Sequence, residues 1–361
     1  MNNAINKCLI IVPSLTPNGP VKGAIALANG LSELGVKVTF VALKKGPGAN
    51  SLLLPDITLH ELPYSSLFSL LQMRAYVLKI LSQSRSVASE TVVISMCFSA
   101  DLINILLPRD IKKIVSVRGD LKENYTMDHG AIGRILAYMH YRLLNFFDLV
   151  VAMNIEMMDV LARYGCRRIV MIPNFINEFD FTNTRTKKIE HATKKIVFVG
   201  SLTTRKKPFL LLEVVNSLIE RGLDLMVFFV GDGPLKDELV EGASKSKNDQ
   251  IRIIGFHEFP TDIVKDCDIM VLPSLSEGTP RAIMEALYLG VPCVMRNLSS
   301  NDNLVIDDVN GYLFENDKDL EIAIVKALSL AKESDRSHSL LDESFSQIKC
   351  CKNYLEAINQ L

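Results

Sequence analysis

The chain has 361 residues, enough for two domains of ordinary size that each bury a hydrophobic core. Hydrophobic residues make up 48% and charged residues 22%, a composition that is typical of a soluble globular protein and excludes a disordered chain. The formal net charge of −1 gives no whole-protein reason to expect nucleic-acid binding, so an anionic ligand must be met by local basic groups.

Seven cysteines lie mostly in apolar runs and show no Cys-x-x-Cys spacing. This pattern indicates small buried side chains in a reducing compartment and argues against a disulfide framework or a metal site. The amino-terminal apolar run is too short for a signal peptide, and no run approaches the roughly 20 residues that span a bilayer. We expect a cytoplasmic protein that is at most peripheral on the inner face of the plasma membrane.

Strand and helix patterns alternate from the amino terminus. Residues 7–12 and 37–43 are predicted strands, and residues 23–34 are the predicted helix between them. Such alternation with short links indicates parallel βαβ units. Between the first strand and helix, residues 16–23 form a turn-rich segment, which is either a flexible connection or a loop that lies against a ligand.

Two stretches, residues 65–81 and 132–147, carry apolar side chains at helical spacing among basic ones. Packing in a core accounts for both patterns. The alternative is a face that contacts anionic lipid headgroups, which would suit an enzyme that uses a membrane-anchored acceptor.

A charged pair follows the strand predicted at residues 114–117. Arg118 and Asp120, separated by a glycine, come just past the strand's carboxyl end, where side chains can face a ligand cleft. The alternative is a surface salt link. A further strand at residues 148–153 completes the pattern, and the charged, apolar-poor stretch after it indicates a domain linker.

The second half opens with a strand at residues 195–200 and a helix at residues 209–221. Between them lie three successive cations, Arg205, Lys206 and Lys207. Cations beside a strand-to-helix turn suit a diphosphate, and the alternative is a solvated charge run.

A glycine turn follows the strand at residues 225–230. Gly231 and Gly233 begin a dinucleotide fingerprint, but Lys236 occupies the place of its third glycine. This departure disfavours an NAD-dependent dehydrogenase. The next strand is predicted at residues 251–255.

The richest stretch is residues 269–287, in which a buried strand is followed by Pro273, a glycine turn and a helix. Thr279 is the predicted N-cap and Pro280 the first helical residue. The free N–H groups and dipole of this helix suit a phosphate at the carboxyl edge of the sheet.

Two carboxylates flank that helix start. Glu277 precedes the helix and Glu285 lies inside it, so they are too far apart to act as one acid/base pair on one bond. They can bind two parts of an elongated ligand, with a sugar near Glu277, a diphosphate at the helix end and a ribose near Glu285.

The segment from Glu277 to Glu285, followed by Gly290-Val291-Pro292, resembles the signature of the family 4 glycosyltransferases, retaining enzymes of the GT-B fold. The resemblance extends over nearly the whole chain and is strongest at residues 195–314. It implies an α/β protein with two Rossmann-like, doubly wound domains that face each other across a nucleotide cleft. We place the domains at residues 1–175 and 195–340, the linker at 176–194, and at 341–361 a carboxyl-terminal helix that packs back on the first domain.

The resemblance also implies site residues. Lys206 binds the diphosphate with Arg205, Arg118 occupies the place of a histidine that contacts the donor sugar in the family, and residues 251–256 lie along the nucleobase. The predicted catalytic residues are Lys206, Arg205, Glu277, Arg118 and Asp120. The predicted donor-binding residues are Gly19, Gly200, Ser201, Gly231, Gly233, Ile254, Gly255, Phe256, Gly278, Thr279, Pro280, Arg281 and Glu285.

The implied activity is transfer of a sugar, with retention, from a nucleotide sugar to a hydroxyl of a glycan acceptor. UDP is expected over GDP, and the expected acceptor is a lipid-linked intermediate of a bacterial surface polysaccharide such as O-antigen, capsule or exopolysaccharide. The departing phosphate takes the acceptor proton, so no metal or other cofactor is expected. A nucleotide-sugar epimerase or hydrolase of the same fold is the alternative, and a sugar-binding hinge protein would normally require export.

Overall fold

The computed structural model describes residues 5–16, 19–46, 52–62, 70–83, 91–181, 193–244, 250–298, 303–333 and 338–361. The chain divides into two compact units. The first unit comprises Met1–Asp180 and Ser344–Leu361, and the second unit comprises Phe181–Glu343.

Strands and helices alternate in the first unit as expected for βαβ connections. Its elements are β1 (Lys7–Val12), α1 (Gly19–Glu33), β2 (Lys37–Ala42), β3 (Thr58–Glu61), α2 (Leu70–Gln83), β4 (Thr91–Ser95), α3 (Phe98–Ile105), β5 (Lys112–Ser116), α4 (Leu121–Leu143), β6 (Leu149–Ala152), α5 (Ile155–Arg163) and β7 (Ile169–Met171). All pairs of neighbouring strands are parallel, in the order β3-β2-β1-β4-β5-β6-β7.

The second unit repeats this plan. Its elements are β8 (Lys194–Val199), α6 (Pro208–Glu220), β9 (Leu225–Val230), α7 (Lys236–Ser244), β10 (Ile251–Gly255), α8 (Thr261–Val264), β11 (Ile269–Leu272), α9 (Arg281–Tyr288), β12 (Cys293–Arg296), β13 (Gly311–Phe314) and α10 (Leu320–Glu333). Its strands are also parallel, in the order β10-β9-β8-β11-β12-β13. Two such sheets make this a Rossmann-like α/β protein, which confirms the predicted fold class.

Both faces of the first sheet are covered by apolar clusters. Successive side chains of a strand point to opposite faces, so one strand can contribute to both clusters. In β1, Cys8, Ile10 and Val12 belong to one apolar cluster. Leu9 and Ile11 belong to another, on the opposite face. The continuous apolar run of this strand therefore fits a central strand of a doubly wound sheet.

The last helix of the chain, α11 (Gln347–Asn359), belongs to the first unit and packs against α1. Gln347 Nε2 donates to the Ala26 carbonyl at 2.7 Å. A Cβ on Gly30 would lie 2.5 Å from Cys351 Sγ, so the two helices approach closely where α1 has no side chain.

Two helices begin earlier than the sequence pattern predicts. Helix α1 starts at Gly19, so residues 19–22 are helical rather than part of a loop, and Pro20 suits the first turn with its fixed φ. Residues 17 and 18 of that predicted loop lie outside the described residues. Helix α4 starts at Leu121 and has non-helical dihedral angles at Gly130, whereas periodicity indicated only its second half.

Other predictions fall partly outside the described residues. These are residues 65–69 of the first amphipathic stretch and residues 182–192 of the linker. At the start of the predicted linker, Ile176 and Asn177 are buried, so the first unit continues past residue 175. Within the described ranges, no helix has the length and apolar character needed to cross a bilayer.

Candidate functional site

The order of the strands in the second sheet marks one place for a ligand. The order reverses between β8 and β11, which are neighbours in the sheet but far apart in the chain. In open α/β sheets, ligands bind outside the carboxyl ends of the strands at such a reversal. The segments after β8 and β11 meet there, because the Leu275 amide donates to the Arg205 carbonyl at 2.9 Å.

A carboxylate and two cations occupy this place. Lys206 Nζ is hydrogen bonded to Glu277 Oε1, and Arg205 Nη1 lies 3.5 Å from Glu277 Oε2. Arg205 Nη1 also donates to the Ser276 carbonyl at 2.6 Å. The exposed fraction of the side chain is 12% for Lys206, 7% for Glu277 and 29% for Arg205, so the cluster is shielded but reachable.

Burial lowers the pKa of Lys206, the negative charge of Glu277 raises it in opposition, and Arg205 lowers it further. The carboxylate therefore helps to keep Lys206 charged in a place where desolvation favours the neutral amine. An ammonium has three N–H donors, and those not used by Glu277 can bind an anion.

Lys207, the third cation of the predicted run, pairs with a different carboxylate. It adopts the left-handed conformation, with φ 49°, between the 3₁₀ turn of residues 204–206 and α6. Its ammonium is hydrogen bonded to Asp317, which Arg296 also binds. The run therefore supplies two cations to the site, and the third anchors the turn.

Two glycines permit close backbone approach beneath the turn. Gly231 has φ 143°, and a Cβ there would lie 1.9 Å from the Gly200 carbonyl oxygen. Gly233 has φ 158°, and its Cβ would lie 2.5 Å from the Leu202 carbonyl oxygen. Both positions require glycine for conformational and steric reasons. The predicted Gly200 makes the first of these contacts, and the exposed Ser201 follows it in the chain.

Helix α9 begins one residue later than predicted. Pro280 is the N-cap with extended dihedral angles and makes no side-chain cap, and Arg281 is the first helical residue. The expectation that Thr279 is the N-cap is therefore wrong. Pro280 has ψ 112°, which lies outside the helical range, so the helix cannot include it. Gly278 and the buried Thr279 connect Glu277 to this helix end, and the half-buried Glu285 lies in its second turn.

The edge of the second sheet carries exposed apolar side chains. Ile254 is 39% exposed and Phe256 is 74% exposed, on either side of the buried Gly255. Gly255 has φ 77°, and a Cβ there would lie 3.1 Å from Lys236 Nζ. This segment, predicted to lie along a nucleobase, thus presents an uncovered aromatic ring close to the carboxyl end of β10.

In the first unit, Arg118 is held by other side chains. Its Nη1 donates to Asn174 Oδ1 at 3.0 Å and its Nη2 donates to Tyr354 Oη at 3.3 Å. Gly23 lies beside the guanidinium, since a Cβ at that position would make an ordinary van der Waals contact with Arg118 Cζ at 3.6 Å. The alternative of a surface salt link is not what the structure shows, because both partners are uncharged and the guanidinium is half-buried.

The other two predicted residues of the first unit have local structural contacts. Asp120 is the N-cap of α4, and its Oδ1 accepts a hydrogen bond from the Glu123 amide at 2.9 Å. Gly19 is the first residue of α1, with nothing within 4 Å of its potential Cβ. Their roles in donor or acceptor binding stay predictions.

Sequence reasoning missed the residues that fix these cations. Asn174 and Tyr354 hold Arg118, and Asp317 holds Lys207. The only sequence signal among them was the phrase Ile172-Pro173-Asn174 at the domain junction, because the partners are far apart in the chain. For metal binding, the described residues contain no group of three or more His, Cys, Asp or Glu side chains arranged to hold an ion.

Both halves of the chain match glycosyltransferase family models. Residues 17–178 match "Glycosyltransferase Family 4", and residues 180–339 match "Glycosyl transferases group 1". Together with the two parallel sheets, these matches show that the chain belongs to the group 1 glycosyltransferases of the GT-B fold.

Two curated relatives match shorter parts of the chain. The Escherichia coli UDP-Gal:alpha-D-GlcNAc-diphosphoundecaprenol alpha-1,3-galactosyltransferase is 36% identical over 121 residues, which is 32% of this chain and 31% of that protein. The Erwinia amylovora amylovoran biosynthesis glycosyltransferase AmsK is 30% identical over 159 residues, which is 41% of this chain and 39% of that protein. The chain therefore aligns with less than half the length of each.

Solved structures with the same fold cover almost the whole chain. Anabaena Alr3699/HepE in complex with UDP-glucose has a TM-score of 0.73 at 17% identity, over 98% of this chain and 100% of that one. A mutant of S. aureus TarM in complex with Fondaparinux, alpha-GlcNAc-glycerol and UDP has a TM-score of 0.75 at 12% identity, over 98% and 100%. At such identities the likeness shows the fold alone.

Proposed function

We propose that this protein transfers a sugar from a nucleoside-diphosphate sugar to a hydroxyl of a glycan acceptor. The observation that carries this proposal is the pair of cations, Lys206 and Arg205, gathered by Glu277 at the strand reversal of the second unit. When the bond between the sugar and the phosphate breaks, negative charge develops on the leaving diphosphate. Fixed cations in a shielded place stabilise that charge better than water does.

The donor is proposed to be a UDP-sugar that lies along the carboxyl edge of the second sheet. Its diphosphate meets Lys206, Arg205 and the N–H groups at the start of α9, its ribose lies near Glu285, and its base lies against the segment that contains Phe256. The names of the E. coli relative, which uses UDP-Gal, and of the HepE complex with UDP-glucose support UDP over GDP.

We propose that the anomeric configuration is retained and that a phosphate oxygen of the leaving group takes the acceptor proton. The sugar–phosphate C–O bond breaks, the new glycosidic C–O bond forms on the same face, and the nucleoside diphosphate leaves with the proton. Since Lys206 and Arg205 already supply positive charge, this route requires no divalent ion. Activity that is abolished by EDTA and restored by Mn²⁺ would contradict it.

A donor panel tests the function. Thermal unfolding is measured with UDP, GDP and their sugars, because a ligand that binds only the native state raises its stability with the logarithm of concentration over affinity. The stabilising UDP-sugar is then incubated with and without glycan acceptors. Consumption of the donor that depends on an acceptor supports a transferase, and equal consumption without an acceptor indicates an epimerase or hydrolase.

The acceptor is proposed to be a lipid-linked intermediate of a bacterial surface polysaccharide. The relatives from E. coli and Erwinia amylovora, whose names refer to a diphosphoundecaprenol substrate and to amylovoran biosynthesis, support this acceptor class. A lipid-linked acceptor brings the enzyme to a membrane, and helix α4 offers a face for this contact.

That face combines apolar and basic groups. Ile132, Ile135 and Met139 share one side of α4 and are 65%, 62% and 55% exposed, and the exposed Phe146 continues the row. Next to it lies a cavity of about 580 Å³ lined by side chains that include Arg142, Arg167 and Arg168. Apolar side chains beside arginines match the boundary between acyl chains and anionic headgroups.

Cosedimentation of the full chain with vesicles tests this contact. Binding is expected to phosphatidylglycerol-containing vesicles and to be weakened by Ile135→Glu. Ile322→Glu is the matched control, because Ile322 is an isoleucine of the second unit that is 59% exposed. Equal binding of both variants, or equal binding to pure phosphatidylcholine, would contradict the proposed face.

A further inference from the structure

The first unit has its own strand reversal, between β1 and β4. The rule that places a ligand at the reversal of the second sheet places one here as well, outside the carboxyl ends of β1 and β4. Strand β4 leads through Met96 and Cys97 directly into α3, so the start of α3 lies at this place. The side chains at this place are aromatic rings and an acid–base pair, whereas those at the reversal of the second unit are cations paired with a carboxylate.

A buried acid and base lie beside the start of α3. His140 Nε2 is 3.0 Å from Asp101 Oδ2, with exposed side-chain fractions of 3% and 4%. His140 Nδ1 is 3.1 Å from the hydroxyl of Tyr125, so a hydrogen-bonded chain leads from α3 through α4 to a half-buried phenol. Burial raises the pKa of Asp101, and the hydrogen bond to His140 opposes this shift.

This pair is unfavourable as a packing device. Charged or polar groups lose hydration on burial, and apolar residues of similar volume often stabilise a core as well or better. Asp101 Oδ1 has no hydrogen-bond partner within the described part of the chain, so part of the lost hydration is not replaced. What the pair does provide is a fixed orientation for Tyr125.

The residue before α3 is strained. Cys97 has φ 75°, a conformation that side chains other than glycine rarely adopt, and it makes no side-chain cap. Burial raises the pKa of its thiol to about 12, with a smaller contribution from Asp101, so it is no thiolate nucleophile. The strained Cys97 directly precedes Phe98, which is the first residue of α3.

Phe98 belongs to a cluster of rings. Its centroid lies 4.9 Å from that of His140 and 6.3 Å from that of Tyr125, in edge-on arrangements, and His129 stacks on Tyr125 at 6.3 Å. Phe98 is 38% exposed and His129 is exposed, so the cluster presents ring surface and polar edges to solvent. The nearby cation, Arg118, is bound by Asn174 and Tyr354.

A neutral ligand with an apolar face and a polar rim fits this cluster. The C–H face of a pyranose can lie on an aromatic ring, and its hydroxyls can bond the phenol and imidazole atoms at the ring edges. A phosphate fits this cluster less well, because the nearby cation, Arg118, already donates to Asn174 and Tyr354 and the hydroxyl among the rings is an uncharged phenol. The chemistry thus contrasts with the cation cluster of the second unit.

We infer that Phe98, Tyr125 and His129 form a subsite for a pyranose ring of the acceptor, in which His140 and Asp101 are positioning residues that orient Tyr125. This inference rests on the proposed function in one respect, the glycan nature of the acceptor. These residues bind and orient the sugar ring. They neither make nor break a covalent bond of the substrate.

The experiment measures binding of methyl glycosides of glucose, galactose and N-acetylglucosamine to the full chain by saturation-transfer NMR. At least one glycoside is expected to bind saturably at millimolar concentration. Phe98→Ala is expected to weaken that binding roughly threefold to tenfold, and Tyr125→Phe, which keeps the ring, about threefold. Tyr138→Phe is the control, since Tyr138 is a tyrosine of the same helix that is 53% exposed.

A double-mutant cycle tests the positioning role. His140→Phe keeps a ring of similar size, and its effect on glycoside affinity is expected to equal that of Tyr125→Phe, with no further loss in the double variant. Thermal unfolding of each variant reports the fold separately. Additive losses would overturn the positioning role, and glycoside affinity that is absent in the unaltered protein or unchanged in Phe98→Ala would overturn the subsite.

Calorimetric titration with UDP separates this inference from the donor proposal. Each variant of the subsite is expected to bind UDP as the unaltered protein does. If glycosides bind through Phe98 but UDP does not bind at all, the donor proposal fails and the subsite stands. If UDP binds and Phe98→Ala changes nothing, the subsite fails and the donor proposal stands.

Discussion

The two units have sheets of the same design but opposite chemistry at the strand reversal. In the second unit, glycines bring the backbone close and Glu277 gathers Lys206 and Arg205. In the first unit, the reversal carries half-exposed rings above a buried Asp101–His140 pair. We therefore expect the topology of the sheet to set where a ligand binds, and the side chains after two strands to set which ligand it is.

The two units also treat their cations differently. In the second unit Lys206 is paired with a carboxylate that keeps it charged, and its other N–H donors can reach an anion. In the first unit Arg118 donates hydrogen bonds to two uncharged partners, Asn174 and Tyr354. We therefore expect Lys206 to act directly on the leaving diphosphate, whereas the contact of Arg118 with the donor sugar stays a prediction.

The largest expected effect follows from Lys206→Ala. Loss of one electrostatic stabiliser of the leaving diphosphate is expected to lower kcat roughly tenfold to a thousandfold. The measurement is steady-state transfer by a variant whose thermal unfolding is unchanged. Lys265→Ala is the control, because Lys265 is a lysine of the same unit that pairs with Asp262 at 3.0 Å on α8. Equal kcat in both variants would show that Lys206 does not stabilise the leaving diphosphate.

A shift of the pH profile is expected for Glu277→Gln. Burial already lowers the pKa of Lys206, and Glu277 opposes that shift, so loss of the carboxylate lowers this pKa further. Because the proposed mechanism requires the charged amine, the alkaline limb of the profile of kcat/KM is expected to move to lower pH. A limb that stays in place, or moves to higher pH, would show that Glu277 does not maintain the charge of Lys206.

A steric test concerns the turn beneath the cations. Gly231→Ala places a Cβ 1.9 Å from the Gly200 carbonyl oxygen at φ 143° and is expected to cost roughly 2–5 kcal/mol of unfolding free energy. Gly222→Ala is the matched control, because Gly222 has φ 92° but nothing within 4 Å, so only the conformational cost of about 1–2 kcal/mol remains. Urea unfolding measures both. Equal costs would show that close approach at Gly231 is unimportant.

The smallest effect is expected for Asp317→Asn. Hydrogen bonds from Lys207 and then Arg296 lower the pKa of Asp317. A lowered folded-state pKa gives stability that is present above the unfolded value of about 3.9 and is lost as the pH falls through the folded value. The variant should be less stable than the unaltered protein at pH 7, by under about 1 kcal/mol for this exposed pair, and the difference should vanish in acid. A difference that grows in acid would contradict the assigned sign.

Much of the fold could be predicted, because its signals are local. The apolar run and glycine turn at residues 269–278 identify a buried strand and the turn after it from neighbouring residues alone. The N-cap at Asp120 was not predicted, although Asp120 is followed three residues later by Glu123, a pattern typical of a helix start. Helix α4 was predicted only in its second half, because its first turns lack a clear apolar period.

The environment of the candidate site was less predictable. The partners of Arg118 lie 56 and 236 residues away in the chain, and Asp101 lies 39 residues from His140. Pairs at such separations are made by tertiary packing, which leaves no periodic signal in the sequence. The same applies to Lys207. The sequence predicted that it binds an anion together with Arg205 and Lys206, but its partner is Asp317.

The proposed binding of the diphosphate by Lys206 is tested most directly by calorimetric titration of the full chain with UDP and with uridine. The two ligands share a base and ribose, so the difference in affinity isolates the diphosphate. We predict that the unaltered protein binds UDP more tightly than uridine, and that Lys206→Ala loses most of this difference while its affinity for uridine is unchanged. UDP binding that is equally tight in Lys206→Ala would contradict the proposed role of this lysine.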